Sequence, residues 1–253
     1  MKIATWNVNG IRARETQLCD WLARDSPDVV CLQELKAEPA QIPERCNLAE
    51  YTTYWHGHKG YSGVSLHVKN DAFDAGPTFS HPEFDMETRI VQARIGNLVL
   101  ASVYVPNGGK DYAAKLAFLE RLVTWTRSVH EQGLQLVLCG DINIAHTDID
   151  VHPRERKAGV IGQRSEERAL LDAMLERLVD VQRQVHPDND RMFTWWAPWR
   201  NLRQRNIGWR IDYVLASRTI AQRVTSCEVL SEIGTSDHAP VLMQVADSDP
   251  TSH

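Results

Sequence analysis

Apolar positions along the chain fall into short runs that stop on polar clusters. Residues 2–6 read as a first strand, broken by Asn7-Val8-Asn9-Gly10. Residues 15–24 put Leu18 and Leu22 on one side of a helix, which Ser26-Pro27-Asp28 ends. Residues 29–32 are continuously apolar, the mark of a buried strand, with Gln33-Glu34 at its end. After irregular residues 36–50, a strand over 51–56 leads through a loop over 57–63 to an alternating stretch, 64–68. Residues 89–95 and 98–105 predict a hairpin about Gly96-Asn97. Residues 115–130 carry the strongest helical period, Phe118, Leu122, Trp125 and Val129. The apolar run 134–139 then stops at Gly140, followed by Asp141-Ile142-Asn143. Residues 145–164 read as irregular, and a helix opens at Ser165, which can cap it, with Glu166 and Glu167 suited to its first turn. Residues 193–196, 210–215, 226–230 and 240–245 are the last strand candidates.

Many strands and few helices, with no linker, repeat or composition step, suggest two sheets packed face to face with helices outside. One domain is expected over residues 1–246, with a short polar tail, 247–253, expected to be disordered. With 253 residues, 43% of them apolar, the chain can bury a sizeable core. Its net charge of −5 advertises no global basic field. A carboxylate site for a divalent cation would lower net charge while local arginines still meet phosphate. Cys19, Cys31, Cys46, Cys139 and Cys227 form no Cys-x-x-Cys or zinc spacing, so reduced thiols in a cytoplasmic protein are expected. The N-terminus lacks signal-peptide architecture, and no apolar run approaches the roughly 18 residues of a membrane span.

Five strand ends share one design, an apolar run followed by polar residues: Asn7/Asn9, Gln33-Glu34, Tyr104 with Asn107, Asp141/Asn143, and Asp212 with Ser236-Asp237-His238. Taken singly, each is an ordinary turn or a solvated strand end. Ends on one edge of a sheet converge, so their joint occurrence is informative. Residues two apart in a strand share a side, which places Asp141 beside Asn143 if extended geometry persists. Glu34, with Asn9, Asp237 or Asn7, supplies hard oxygen ligands suited to Mg²⁺. Asp141 is a candidate for proton transfer with water, as base or as acid, and Asn143 for orienting that water. His238 can donate to a phosphate oxygen, with Asp212 stabilising its imidazolium. With no nucleophile elbow and no Gly-rich phosphate loop, metal-assisted attack of water on a phosphodiester is the economical reading.

These stretches resemble the exonuclease III family of apurinic/apyrimidinic (AP) endonucleases, within the endonuclease/exonuclease/phosphatase superfamily. The matching segments are Trp6-Asn7-Val8-Asn9-Gly10-Ile11-Arg12, Leu32-Gln33-Glu34-Leu35-Lys36, Gly60-Tyr61-Ser62-Gly63-Val64, Tyr104-Val105-Pro106-Asn107, residues 140–146, Gly208-Trp209-Arg210-Ile211-Asp212-Tyr213 and Ser236-Asp237-His238-Ala239-Pro240. The resemblance implies a four-layered α/β sandwich, two packed mixed β-sheets flanked by helices, of DNase I-like fold. It implies Mg²⁺, with Mn²⁺ as a substitute, on Glu34, assisted by Asn9 and, at a second position, Asp237. Asn9 departs from members with aspartate there. Asn7 is then the residue supporting Asp212, Tyr104 and Asn107 are phosphate contacts, Asp141 and Asn143 handle water, and His238 with Asp212 polarises phosphate. Ile142 replaces an aromatic or methionine and reads as packing.

On the substrate side the resemblance implies a pocket for a flipped abasic sugar, walled by Trp195, Trp209 and Ile211. Residues 197–206 look like a DNA-penetrating loop, with Trp199 or Leu202 as wedge and arginines, Arg200 among them, on phosphates. Arg12, Lys36, Tyr61 and Lys110 match further DNA contacts. Gly162 matches the place where a small residue leaves room for an internal abasic nucleotide. The expected partner is double-stranded DNA with abasic sites or blocked 3′ ends, and the expected enzyme is a monomer that cuts 5′ to the lesion and has 3′→5′ exonuclease and 3′-phosphatase or 3′-phosphodiesterase activity. A superfamily hydrolase of another phosphoester is the alternative. A non-catalytic nucleic-acid-binding regulator would show eroded site residues, whereas Glu34, Asp141, Asn143, Asp212, Asp237 and His238 all stand.

Overall fold

The structure, a computed structural model, describes residues 1–58 and 60–246, so the 247–253 tail lies outside the described residues. In chain order the elements are β1 (Lys2–Asn7), α1 (Ile11–Asp25), β2 (Val29–Gln33), β3 (Tyr51–His58), β4 (Tyr61–Lys69), β5 (Thr78–Ser80), β6 (Ile90–Ile95), β7 (Leu98–Tyr104), α2 (Tyr112–Glu131), β8 (Gln135–Asp141), α3 (Ser165–Leu175), β9 (Leu178–Asp180), α4 (Val181–Val185), β10 (Asp212–Ser217), α5 (Arg218–Ala221), β11 (Val224–Val229) and β12 (Val241–Val245). They form two six-stranded sheets, ordered β11-β12-β1-β2-β4-β3 and β5-β6-β7-β8-β10-β9. Both are mixed: β1 runs parallel to β2 and β7 to β8, while the other pairings are antiparallel.

Apolar residues on both faces of the central strands explain the stacking. Val29 and Cys31 of β2, with Val137 and Cys139 of β8, point into the core between the sheets. Their neighbours point outward: Val30 and Leu32 pack with Trp21 and Leu22 of α1, and Leu136 and Leu138 with Phe118 and Leu122 of α2 and Leu171 of α3. A strand apolar on both faces must be covered twice, and the four-layered sandwich is the result.

Several local expectations change. Helix α1 begins at Ile11, four residues before the apolar period declares itself, because Gly10 and Ile11 donate to the carbonyls of Glu34 and Leu35 at 2.7 and 3.0 Å. The expected 57–63 loop is largely strand, since β3 runs to His58 and β4 starts at Tyr61. Polar Ser65 and His67 of β4 are buried as fully as their apolar neighbours, because β4 lies inside its sheet with His67 under Trp55. Ser165 does not cap α3. It is the first helical residue, and Glu167 accepts from the Arg164 amide at 3.2 Å. Residues 193–196 form no strand. Thr194 Oγ1 instead accepts from the amides of Ile211 and Asp212, leaving isolated bridges from Trp195 to Trp209 and His238. The short β5, β9, α4 and α5 are too brief to show a period.

Candidate active site

Two parallel pairs carry their C-terminal ends to one edge of the sandwich. Asn7 lies level with Gln33, and Asp141 lies level with both Tyr104 and Asp212. Gly140 does not end β8 but belongs to it, paired with Val103 and Tyr213. At φ 144°, a Cβ there would stand 1.9 Å from the Val103 carbonyl oxygen. Glycine therefore lets β8 lie against β7 at the point where Asp141 enters the site. The extended chain does not continue to Asn143, which has φ 55°. Its amide folds back onto Asp141 Oδ1 at 2.9 Å and its side chain donates to the Val105 carbonyl. Both residues still line the same cleft.

Across the rim the polar side chains pair through short hydrogen bonds. Asn7 Nδ2 donates to Asp141 Oδ2 at 2.9 Å, joining the two sheets. Asn7 thus supports Asp141 directly and not Asp212, because β1 faces the end of β8. Asp212 Oδ2 holds His238 Nδ1 at 2.9 Å, which leaves Nε2 3.9 Å from Asp141 Oδ2. Tyr104 Oη donates to Glu34 Oε1 at 2.6 Å, and Lys36 Nζ lies 2.9 Å from Glu34 Oε2. Lys36 also donates to Asn9 Oδ1, whose amide nitrogen donates to Asp237 Oδ1 at 2.7 Å. Trp195 Nε1 donates to Asp237 Oδ2 at 3.0 Å.

Burial and charge set the protonation states. Burial works against the His238 imidazolium, but Asp212, Asp141 and Asp237 outweigh it and hold its pKa well above the ordinary value. Burial likewise pushes Asp141 up; Asp212 and Glu34 add to the rise, and His238 and Asn7 only partly oppose it. Burial would raise Glu34 too, yet the Tyr104 hydroxyl, His238 and Lys36 keep it below the usual carboxylate range. Asp237 is depressed against its own burial by His238, Trp195 and Asn9. The site therefore sets a carboxyl pushed upward beside carboxyls held downward. Asp141, Asp212 and His238 bring ligand-type atoms within 4.8 Å of one another, and with His238 protonated a cation there would rest on the two carboxylates.

A cleft of about 350 Å³ opens over this chemistry, lined by Glu34, Tyr104, Asn107, Asp141, Asn143, Gly162, Trp195, Trp209, Ile211, Asp237 and His238. Trp195 and Trp209 meet edge to face at 5.8 Å. Lys36, Tyr61 and Lys110 line a second cleft of similar size that shares Glu34, Tyr104 and Asn107. Arg12 is exposed on the first turn of α1, and Trp199 and Arg200 are exposed in their loop; the three line neither cleft. Leu202 is buried among Phe193, Trp196 and Ile207, so it is no wedge. Arg203 is no phosphate ligand, because its guanidinium already serves the carbonyls of Ser231, Ile233 and Ser236. Ile142 is fully buried against the outer helices, as packing requires.

Arg89 and Trp6 escape a reading of strand ends, and so does the contact that Ser236 makes. Arg89, at the mouth of β6, stacks over Tyr104 at 4.8 Å and donates to Tyr61 Oη. Trp6 Nε1 holds the His238 carbonyl, and Ser236 Oγ donates to the Asn7 carbonyl. Trp6 and Ser236 stand inside the motifs, and Arg89 is a charge opening an apolar run; those were the available signals.

Residues 4–238 match the profile of the endonuclease/exonuclease/phosphatase family. The chain is 33% identical to the DNA repair nuclease APEX1 of Danio rerio, over 97% of its own length and 82% of that protein's. It superposes on an AP endonuclease from Archaeoglobus fulgidus with TM-score 0.86 at 31% identity, covering 98% of this chain and 100% of that one. The 3′ phosphatase NExo from Neisseria, bound to a product DNA hairpin, gives TM-score 0.87 at 30% identity, covering 98% and 100%. No helix among the described residues is long and apolar enough to cross a membrane. The chain belongs to the endonuclease/exonuclease/phosphatase family, as a DNA-repair nuclease of its exonuclease III-type AP endonuclease group.

Proposed function

We propose that this enzyme hydrolyses the DNA backbone 5′ to abasic sites, leaving a 3′-hydroxyl, and that it removes 3′-terminal nucleotides and 3′-phosphate blocks at the same centre. The observation that carries this reading is the placement of Asp141, His238 and Glu34 beneath a slot walled by Trp195, Trp209 and Ile211. Two indoles and an isoleucine form its wall, suited to a sugar without its base. Incision at an internal lesion needs the small Gly162 at its edge, where a Cβ would come within 3.0 Å of the Trp209 ring.

Within this reading the residues divide the work. His238, kept cationic by Asp212, donates from Nε2 to a non-bridging phosphate oxygen. Asp141 exchanges the proton of the attacking water or of the leaving 3′-oxygen, and its raised pKa suits that exchange near neutral pH. Asn7 and the Asn143 amide fix the Asp141 carboxyl. Tyr104 and Asn107 face the phosphate, and Asn143 orients the water. Lys36, Tyr61 and Lys110 offer a track for the flanking backbone, with Arg89, ion-paired to Glu87, bracing Tyr61 and Tyr104, Arg12 and Arg200 as more distant phosphate contacts and Trp199 as the wedge.

Glu34, Asn9 and Asp237 fit a hard divalent cation, Mg²⁺ or Mn²⁺. All present oxygens, and an ammonium, that of Lys36, already bridges Glu34 and Asn9. Lys36 is 41% exposed along its side chain and is free to withdraw to a phosphate. Such an ion supplies charge neutralisation at the phosphate and acidifies a bound water. Residues 1–246 act as one unit in this reading, because the site draws on both sheets. A monomer suffices, since the residues invoked come from a single chain, and the five free cysteines suit a reducing cytoplasm.

The test is a duplex oligonucleotide with one abasic analogue, incubated with Mg²⁺ or with chelator, beside an undamaged duplex with recessed ends. Incision 5′ to the lesion that chelator abolishes is expected. Absence of incision with Mg²⁺ would overturn the reading.

A further inference from the structure

One fully buried ion pair plays no part in the chemistry above. Lys115 occupies the buried stripe of α2, one turn before Phe118 and Leu119, where an apolar residue would be expected. Its ammonium and the Glu167 carboxylate, on the first turn of α3, are both 0% exposed and 2.5 Å apart. Each partner also grips a loop of the cleft. Lys115 Nζ donates to the Asn143 carbonyl at 2.7 Å and reaches the Asn107 carbonyl at 3.5 Å. Glu167 Oε2 accepts the Gly162 amide at 2.7 Å. The Gly162 carbonyl is taken by the Ala145 amide at 2.7 Å, so that peptide is held at both ends.

The loops are packed tightly around this hub. A Cβ on Gly162 would stand 3.3 Å from the Asn143 carbonyl oxygen, and one on Gly108 would stand 2.9 Å from Lys115 Cδ. The hub thus sets the distance between the turn that carries Asn143 and the Gly162 edge of the slot. Stability alone gives little reason for it. Removing two charges from water is expensive, and an apolar pair of similar volume is often as stable or more so. Phe118, Leu122 and Leu171 already join the two helices by apolar contact.

We propose that Lys115 and Glu167 are positioning residues that hold the slot open to an internal nucleotide, and so determine the preference for internal abasic sites over terminal 3′-phosphates. This rests on the functional reading above. Both substrates use Asp141, His238 and Glu34 and the turn that carries Asn143, but only an internal nucleotide must also pass the Gly162 edge. Misplacing that edge should therefore damage one activity more than the other.

The variants K115M/E167L and K115M/E167Q test it. Both remove the charges at similar volume, but glutamine keeps an acceptor for the Gly162 amide. In K115M/E167L, kcat for internal incision is expected to fall about 10- to 100-fold with KM little changed, and 3′-phosphate removal to fall far less. K115M/E167Q is expected to recover much of the lost ratio. Hydrogen exchange on the same proteins should show amides in 142–146 and 159–164 losing protection in the leucine variant while α2 and α3 keep theirs. Equal losses on both substrates, or unchanged exchange and kinetics in a folded variant, would overturn the proposal. If wild type cuts neither substrate, the functional reading itself has failed, and the exchange data still decide whether the pair holds the two loops.

Discussion

Asn9, Glu34, Lys36 and Asn143 all sit in the left-handed backbone region, with φ between 46° and 55°. Such conformations cost on the order of 1–3 kcal/mol each in non-glycine residues. Their concentration on one rim shows where the fold tolerates strain to aim side chains. Asp141→Asn removes the carboxyl proposed to exchange the proton but keeps its volume. Turnover is expected to fall by about 10²- to 10⁴-fold, with abasic duplex affinity in a chelated binding assay nearly unchanged. Gly162→His is expected to reduce internal incision by about 10-fold more than 3′-phosphate removal, since both pass Asp141 but only one needs the slot edge; parallel assays on the two substrates check this. His67 offers a test of stability. Burial pushes its pKa down to about 3, with Thr53 and Ser65 hydroxyls on its two nitrogens. The unfolded chain protonates near the ordinary value of about 6.5. Stability is therefore full above that value and falls as pH drops toward about 3. His67→Asn should flatten the urea midpoint measured between about pH 6.5 and 4, because the buried titrating group is gone. Residue type at the rim was legible from sequence, as Glu34, Asp141 and His238 show. Its wiring was not: Asn7 supports Asp141 because β1 and β8 belong to different sheets that meet there.

Among the elements, β8 is the one on which the site turns. Both its faces are covered, its Asp141 stands between Tyr104 and Asp212, and its Gly140 allows contact with β7. Gly140→Ala is expected to destabilise by about 3 kcal/mol or more, or to prevent folding, since Cβ would enter the Val103 carbonyl; thermal melting of the purified variant checks this. The long helix α2 and the β6–β7 hairpin could be read in advance because apolar period and turn chemistry are local. The stretch 193–196 could not. It has strand composition, but the Thr194 hydroxyl takes two backbone amides from the segment opposite, and no ladder forms. Lys115 eluded the period for a related reason, since a lysine in a helix reads as solvated until a buried partner is found.

At the scale of the whole molecule, a net charge of −5 coexists with a cleft in which Lys36, Arg89 and Lys110 stand among Glu34, Glu87 and Asp111. Phosphate contacts made there should weaken steeply with salt, whatever the global charge. Tyr61 and Trp199 are the large hydrophobic side chains left exposed among the described residues, at 53% and 59%. Trp199 packs into no core cluster, so Trp199→Ala should leave melting within about 0.5 kcal/mol of wild type. Duplex affinity, read by anisotropy, should drop by about 10-fold if the indole enters DNA. Sequence by itself determined the layers and the polar residues that gather at the strand ends, because strands apolar on both faces must be covered twice and because charged residues at strand ends must meet solvent, ion or substrate. Tertiary structure alone decided which carboxyl burial pushes upward, which arginines are already bound to neighbours, and what lines the slot. Those depend on burial and on partners 26 to 134 residues apart in the chain, such as Asp212 with His238 and Asn7 with Asp141, and no local pattern encodes such distances.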